Sequence, residues 1–107
     1  MTSITVFQDH EAIQGFRCIG HSGYADKGQD IVCAAVSVLV INAINSIEAF
    51  TSATYQLDTD EESALIDFRF KEQADEAQLL LRSMLLGLQG IQETYGNDNL
   101  KLEFKEV

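Results

Sequence analysis

Apolar and polar positions along the chain fall into blocks of two kinds, strand-like and helix-like. Ile4 to Phe7 and Ile13 to Ile19 are short β-favouring runs, and the Asp9-His10-Glu11 segment between them suits a hairpin turn. A second pair is expected at about Thr54 to Leu57 and Ala64 to Phe70, joined across the acidic stretch Asp58-Thr59-Asp60-Glu61-Glu62. In its second run Ala64, Ile66, Phe68 and Phe70 alternate with Leu65, Asp67 and Arg69, a period of two that marks a sheet with one buried face. Towards the C-terminus Leu100, Leu102 and Phe104 alternate in the same way with Lys101, Glu103 and Lys105.

Two helical blocks separate these strands. From Asp30 to about Phe50 the residues are apolar almost all round, interrupted by Ser37, Asn42, Asn45, Ser46 and Glu48. Such a helix has to be enclosed by sheet, second helix or another subunit. The longest nearly apolar run within it, Ile31 to Ile41, is shorter than the roughly 20 residues of a bilayer span, so a core element and no membrane association are expected. The second helix, Ala74 to Tyr95, sets Ala77, Leu80, Leu81, Met84, Leu88, Ile91 and Tyr95 along one stripe. It opens on Asp75 and Glu76 and stops at Gly96-Asn97. The order ββαββαβ predicts an α+β fold, a largely antiparallel sheet packed with two helices. No proline, repeat or low-complexity tract divides the 107 residues, so a single domain spanning 1–107 is expected.

Seventeen acidic against seven basic side chains give a formal charge of -10, which argues against binding driven by nucleic-acid phosphates and favours a basic partner. Met1 to Phe7 lacks the charged leader and apolar core of a signal peptide, so a cytoplasmic location is expected. The two cysteines, Cys18 and Cys33, form no CxxC or Cys/His zinc spacing. Neither a metal nor an organic cofactor is expected, and any special cysteine chemistry would be that of a free thiol.

The informative segment runs from Gly20-His21-Ser22-Gly23-Tyr24 through Gly28-Gln29-Asp30-Ile31-Val32-Cys33 to Ser37. It joins a strand end to a buried helix and carries a histidine and a cysteine. With Asp30 as N-cap, Cys33 falls at the third helical position, where the positive end of the helix dipole favours a thiolate. At about 1 kcal/mol that effect is smaller than the 1.4 kcal/mol of one pKa unit, roughly, so strong activation needs a cation, and His21 is the candidate. Ser37 lies four residues after Cys33 on the same face, Asp30 can cap the helix or orient His21, and the N–H groups of Ile31, Val32 and Cys33 are candidates for an oxyanion hole. A bland reading fits the same residues. Cysteine is among the most buried residue types, His21 suits an exposed turn, Asp30 a simple cap and Ser37 a hydroxyl bonded to its own helix. Cys18 reads as inert core, His10 as exposed, and Asp58 to Glu62 as a solvated turn too short for a calcium loop.

Gly20-His21-Ser22-Gly23, followed by Gly28-Gln29-Asp30-Ile31-Val32-Cys33-Ala34-Ala35-Val36-Ser37 and Asn42-Ala43-Ile44-Asn45-Ser46, resembles the ribosomal-processing cysteine protease family, Prp. Chain length, element order and acidic character agree with it. The resemblance implies Cys33 as nucleophile, His21 as general base, Asp30 and Ser37 as supporting residues, and a substrate loop containing Gly20, Ser22, Gly23, Tyr24 and Gly28. It also implies a homodimer, and removal of a short N-terminal extension from large-subunit ribosomal protein number twenty-seven just after a pair of phenylalanines. Two other functions remain open: a non-catalytic ribosome-assembly module that holds a basic ribosomal tail, and a redox-sensing thiol. The latter lacks an obvious resolving partner, since Cys18 belongs to a predicted core strand.

Overall fold

A computed structural model describes residues 2–20, 27–96 and 98–107, with 27–30 described by their backbone alone. The elements follow the order β1 (Thr2–Asp9), β2 (Ala12–Ile19), α1 (Lys27–Phe50), β3 (Thr54–Asp60), β4 (Leu65–Glu72), α2 (Asp75–Tyr95) and β5 (Leu100–Glu106). The strands form one sheet in the order β3-β4-β2-β1-β5. Every neighbouring pair is antiparallel except β1 and β5, which run parallel. The expected α+β architecture, with its largely antiparallel sheet and two helices, is therefore present.

Alternation along the strands divides the sheet into two faces. Ile4 and Val6 of β1, Phe16 and Cys18 of β2 and Phe68 of β4 are buried in one cluster with Val32, Val36, Val40 and Ile47 of α1 and Ala77, Leu81, Met84 and Leu88 of α2. The ring of Phe68 anchors this core, stacking on Phe16 at 5.3 Å and on Tyr55 at 4.8 Å between centroids and meeting Phe70 edge-on at 5.0 Å. On the other face Asp67 takes hydrogen bonds from Nε of both Arg17 and Arg69, each at 2.9 Å, while the Arg69 guanidinium lies 3.8 Å from the centre of the Phe7 ring.

Three local expectations are corrected. The helix α1 begins at Lys27, so Asp30 is its fourth residue and not the N-cap. Strand β3 continues through Asp58, Thr59 and Asp60, paired with Asp67, Ile66 and Leu65, and the turn that follows covers only 61–64. Backbone pairing with β4 holds this exposed edge extended despite its acidic side chains. Finally, 20 residues of α1, Ile31–Phe50, are long and apolar enough to cross a bilayer by length and composition, which the run length from Ile31 to Ile41 understated. One side of that helix is core, while Ile31, Val38, Ile41 and Phe50 are exposed.

In α2 the predicted stripe is buried at Ala77, Leu81, Met84 and Leu88, half-buried at Leu80 and Ile91, and exposed at Tyr95. Ala74 caps it without a side-chain hydrogen bond, and Asp75 and Glu76 in the first turn offset that lack. Gly96 ends it at φ 87°, a conformation glycine adopts without penalty.

Candidate active site

Cys33 is the seventh residue of α1, nearly two turns from its start. This corrects the expectation that its sulfur occupies the first turn, beyond which the dipole effect fades. The same helix start removes the expected oxyanion hole. The N–H groups of Ile31, Val32 and Cys33 enter the i to i−4 ladder of a helix that begins at Lys27. The periodic apolar pattern begins only where α1 meets the sheet, so the polar first turn carried no signal.

The Cys33 side chain is half-buried and lines a pocket shared with Thr2, Cys18, Gly20, Val36, Ser37, Ala64 and Ile66. Its Sγ is 3.0 Å from Oγ1 of Thr2. Ser37, one turn further along α1, is exposed at the pocket's edge and so shares it with Cys33, as the spacing of four suggested. Gly20, the residue before His21, forms part of the wall. Its N–H donates to the Ala64 carbonyl at 3.1 Å, which ties the end of β2 to the β3–β4 turn. A Cβ at Gly20 would stand 3.0 Å from that of Ala64.

His21, Ser22, Gly23 and Tyr24 lie outside the described residues, as does Asp26. Gly28 and Asp30 are described by backbone only, both within the first turn of α1, so Gly28 belongs to the helix and not to the loop before it.

Cys18 is buried, and burial, with the nearby Cys33 adding to it, pushes its thiol up to about 11. It is the inert core cysteine the sequence suggested. It nevertheless borders the pocket of Cys33. His10 is exposed in its turn, as expected, and its backbone N–H donates to a Glu106 carboxylate oxygen at 3.1 Å.

An apolar trough leads away from this pocket between α1 and the β3–β4 hairpin. Ile41, Ile44 and Asn45 form its helix side, and Leu57, Thr59 and Ile66 its sheet side. Ser37, Ala64 and Ile66 continue it to a rim bearing Asp60 and Glu61. Thr2 and this trough escaped the sequence reading. Thr2 had a signal, since it shares the period-two face of Ile4 and Val6. The trough had none, because its walls come from segments distant in sequence.

The geometry is that of a half-buried thiol, hydrogen-bonded with a hydroxyl, at one end of an apolar trough. Comparison with known proteins agrees with it. The family model described as cysteine protease Prp matches residues 1–100. The ribosomal processing cysteine protease Prp of Bacillus subtilis is 33% identical over 108 residues, covering 95% of this chain and 96% of the relative. Among solved structures, the Staphylococcus aureus ribosomal processing protease Prp in complex with a substrate peptide superposes with a TM-score of 0.90 at 31% identity, covering 98% of this chain and 100% of that one. The same protease with a covalently linked product peptide gives a TM-score of 0.86 at 32% identity, with the same coverage. By its sequence, its fold and the setting of its half-buried cysteine, this chain belongs to the cysteine protease Prp family.

Proposed function

We propose that this protease uses Cys33 as nucleophile and His21 as general base to remove the short N-terminal extension of large-subunit ribosomal protein number twenty-seven, cutting after a pair of phenylalanines. The observation that carries the reading is the position of the Cys33 sulfur, half-buried at the head of the trough formed by Ile41, Ile44, Leu57 and Ile66. Aromatic side chains of an extended peptide suit that trough, and the basic chain behind them suits Asp60 and Glu61 on its rim and the net charge of -10. The relative from Staphylococcus aureus, solved with a covalently linked product peptide, supports covalent catalysis.

In this mechanism His21 takes the Cys33 proton, and the thiolate attacks the scissile carbonyl carbon. As the tetrahedral intermediate collapses, the C–N bond breaks and the imidazolium returns its proton to the leaving amine. His21 then deprotonates the water that attacks the thioester, releasing the carboxylate product and the thiol. Asp30 and Ser37 support this pair, and Gly20, Ser22, Gly23 and Tyr24 contact the peptide. The exposed Ile31 and Val38 on α1 suit a homodimer contact, and the cytoplasm is the compartment where such a substrate is made.

The test is mass spectrometry of a peptide spanning the extended N-terminus, incubated with the wild type, Cys33→Ala and His21→Ala. One cut after the phenylalanine pair, lost in both variants, is the expected result. Absence of cutting by the wild type, with equal peptide binding by all three, would overturn it in favour of an assembly module that holds a basic tail.

A further inference from the structure

We propose that Thr2 is a positioning residue of the reaction, its hydroxyl donating to the sulfur of Cys33 and holding the thiolate at the head of the trough. The inference rests on Cys33 being the nucleophile. Thr2 is the first residue of β1 and faces the helices, on the side of Ile4 and Val6. It is 2% exposed, its N–H donates to the Asn99 carbonyl at 3.2 Å, and it stands opposite Leu100 in the parallel β1–β5 pairing. Its backbone is thereby clamped, and a β-branched side chain has little rotational freedom about χ1. A hydroxyl so buried needs a hydrogen-bond partner, and here the partner is Sγ of Cys33 at 3.0 Å.

The sense of that bond depends on the state of the sulfur. Between a thiol and a hydroxyl either atom can donate. A thiolate has no proton, so the hydroxyl becomes the donor, and hydrogen bonds to an ionised acceptor are about twice as strong as neutral ones. The contact is therefore tightest in the attacking form, weakens in the neutral thioester, and tightens again as the sulfur leaves. Cys18, on the same pocket, adds no negative charge beside the sulfur of Cys33, because its buried thiol stays protonated. Ser37 is exposed, whereas Thr2 is shielded from water, and a shielded donor loses less to competing solvent.

Thr2→Val keeps the shape and removes the hydroxyl, Thr2→Ser keeps the hydroxyl, and Thr2→Ala guards against a valine variant that fails to fold. Each is followed by iodoacetamide alkylation of Cys33 across pH, read by peptide mapping, and by kcat and KM on the extension peptide. The valine and alanine variants are expected to alkylate about tenfold more slowly at neutral pH, with the profile displaced to higher pH. Their kcat should fall with KM unchanged, and Thr2→Ser should restore both. A wild-type alkylation profile in either hydroxyl-free variant would overturn the role and leave Thr2 as packing. Alkylation is read without substrate, so a wild type unable to cut the peptide would sink the protease assignment while this test still reported on Thr2.

Discussion

Among the described residues, Asp67 is the acidic side chain most withdrawn from water. Its side chain is 11% exposed between two arginines, accepting from Nε of Arg17 at 2.9 Å and from Nε and Nη2 of Arg69 at 2.9 and 3.3 Å. Burial alone raises its carboxyl, but the hydrogen bonds and charges of Arg69 and Arg17 outweigh burial and hold it below the usual carboxylate range. A depressed folded value means that the stabilisation is fully present above the unfolded value, about 3.9, and is lost as pH falls through the folded one. Asp67→Asn should therefore cost about 1–3 kcal/mol in urea unfolding at pH 7, and the gap to the wild type should narrow near pH 3. A gap of the same size at both pH values would assign the loss to shape and not to charge. Alternation along β4 made it legible that Asp67 and Arg69 share a face. Their neighbour Arg17 was not legible, because it reaches Asp67 through the β2–β4 register, which no local pattern encodes.

At the scale of elements, the strands and helices with a buried stripe were legible and those ruled by backbone pairing or exposed turns were not. Hydrophobic periodicity reports which residues meet the core. It therefore found the alternation of β4 and the stripe of α2, and it missed the polar first turn of α1 and the exposed end of β3. The residue that most constrains the sheet is Gly15 in β2, set between Phe7 of β1 and Arg69 of β4. A Cβ there would stand 2.2 Å from the Phe68 carbonyl oxygen and 2.8 Å from Cδ of Arg69. The long arginine side chain can move aside, but the backbone carbonyl cannot without parting the β2–β4 ladder. Gly15→Ala is expected to lower stability by about 3 kcal/mol or more, read as a shifted urea midpoint. A midpoint within error of the wild type would mean that β2 and β4 can separate cheaply.

For the molecule as a whole, the division of labour lies along α1. One side of this helix closes the core, the flank bearing Cys33 and Ser37 borders the pocket, and Ile41 and Ile44 continue into the trough against β3 and β4. The Cys33 end of this arrangement was legible in the sequence, through a cysteine and histidine at family spacing. The trough arises only when the β3–β4 hairpin is laid beside α1. Leu57 lies on the exposed strand β3, so Leu57→Asp should fold normally while placing a charge where apolar substrate groups are to sit. The expected result is a fall of at least about tenfold in kcat/KM on the extension peptide, with Cys33 alkylation unchanged. Undiminished cleavage would move the substrate path away from β3.

The parallel pairing of β1 with β5 also sets a timetable. Thr2 is synthesised well before the backbone that fixes it, at Asn99 and Leu100. A growing chain complete through α2 already possesses Cys33, but the strand beneath its sulfur has no neighbour on one side. Cys33 thus acquires its full surroundings only once β5 has been made and has paired with β1.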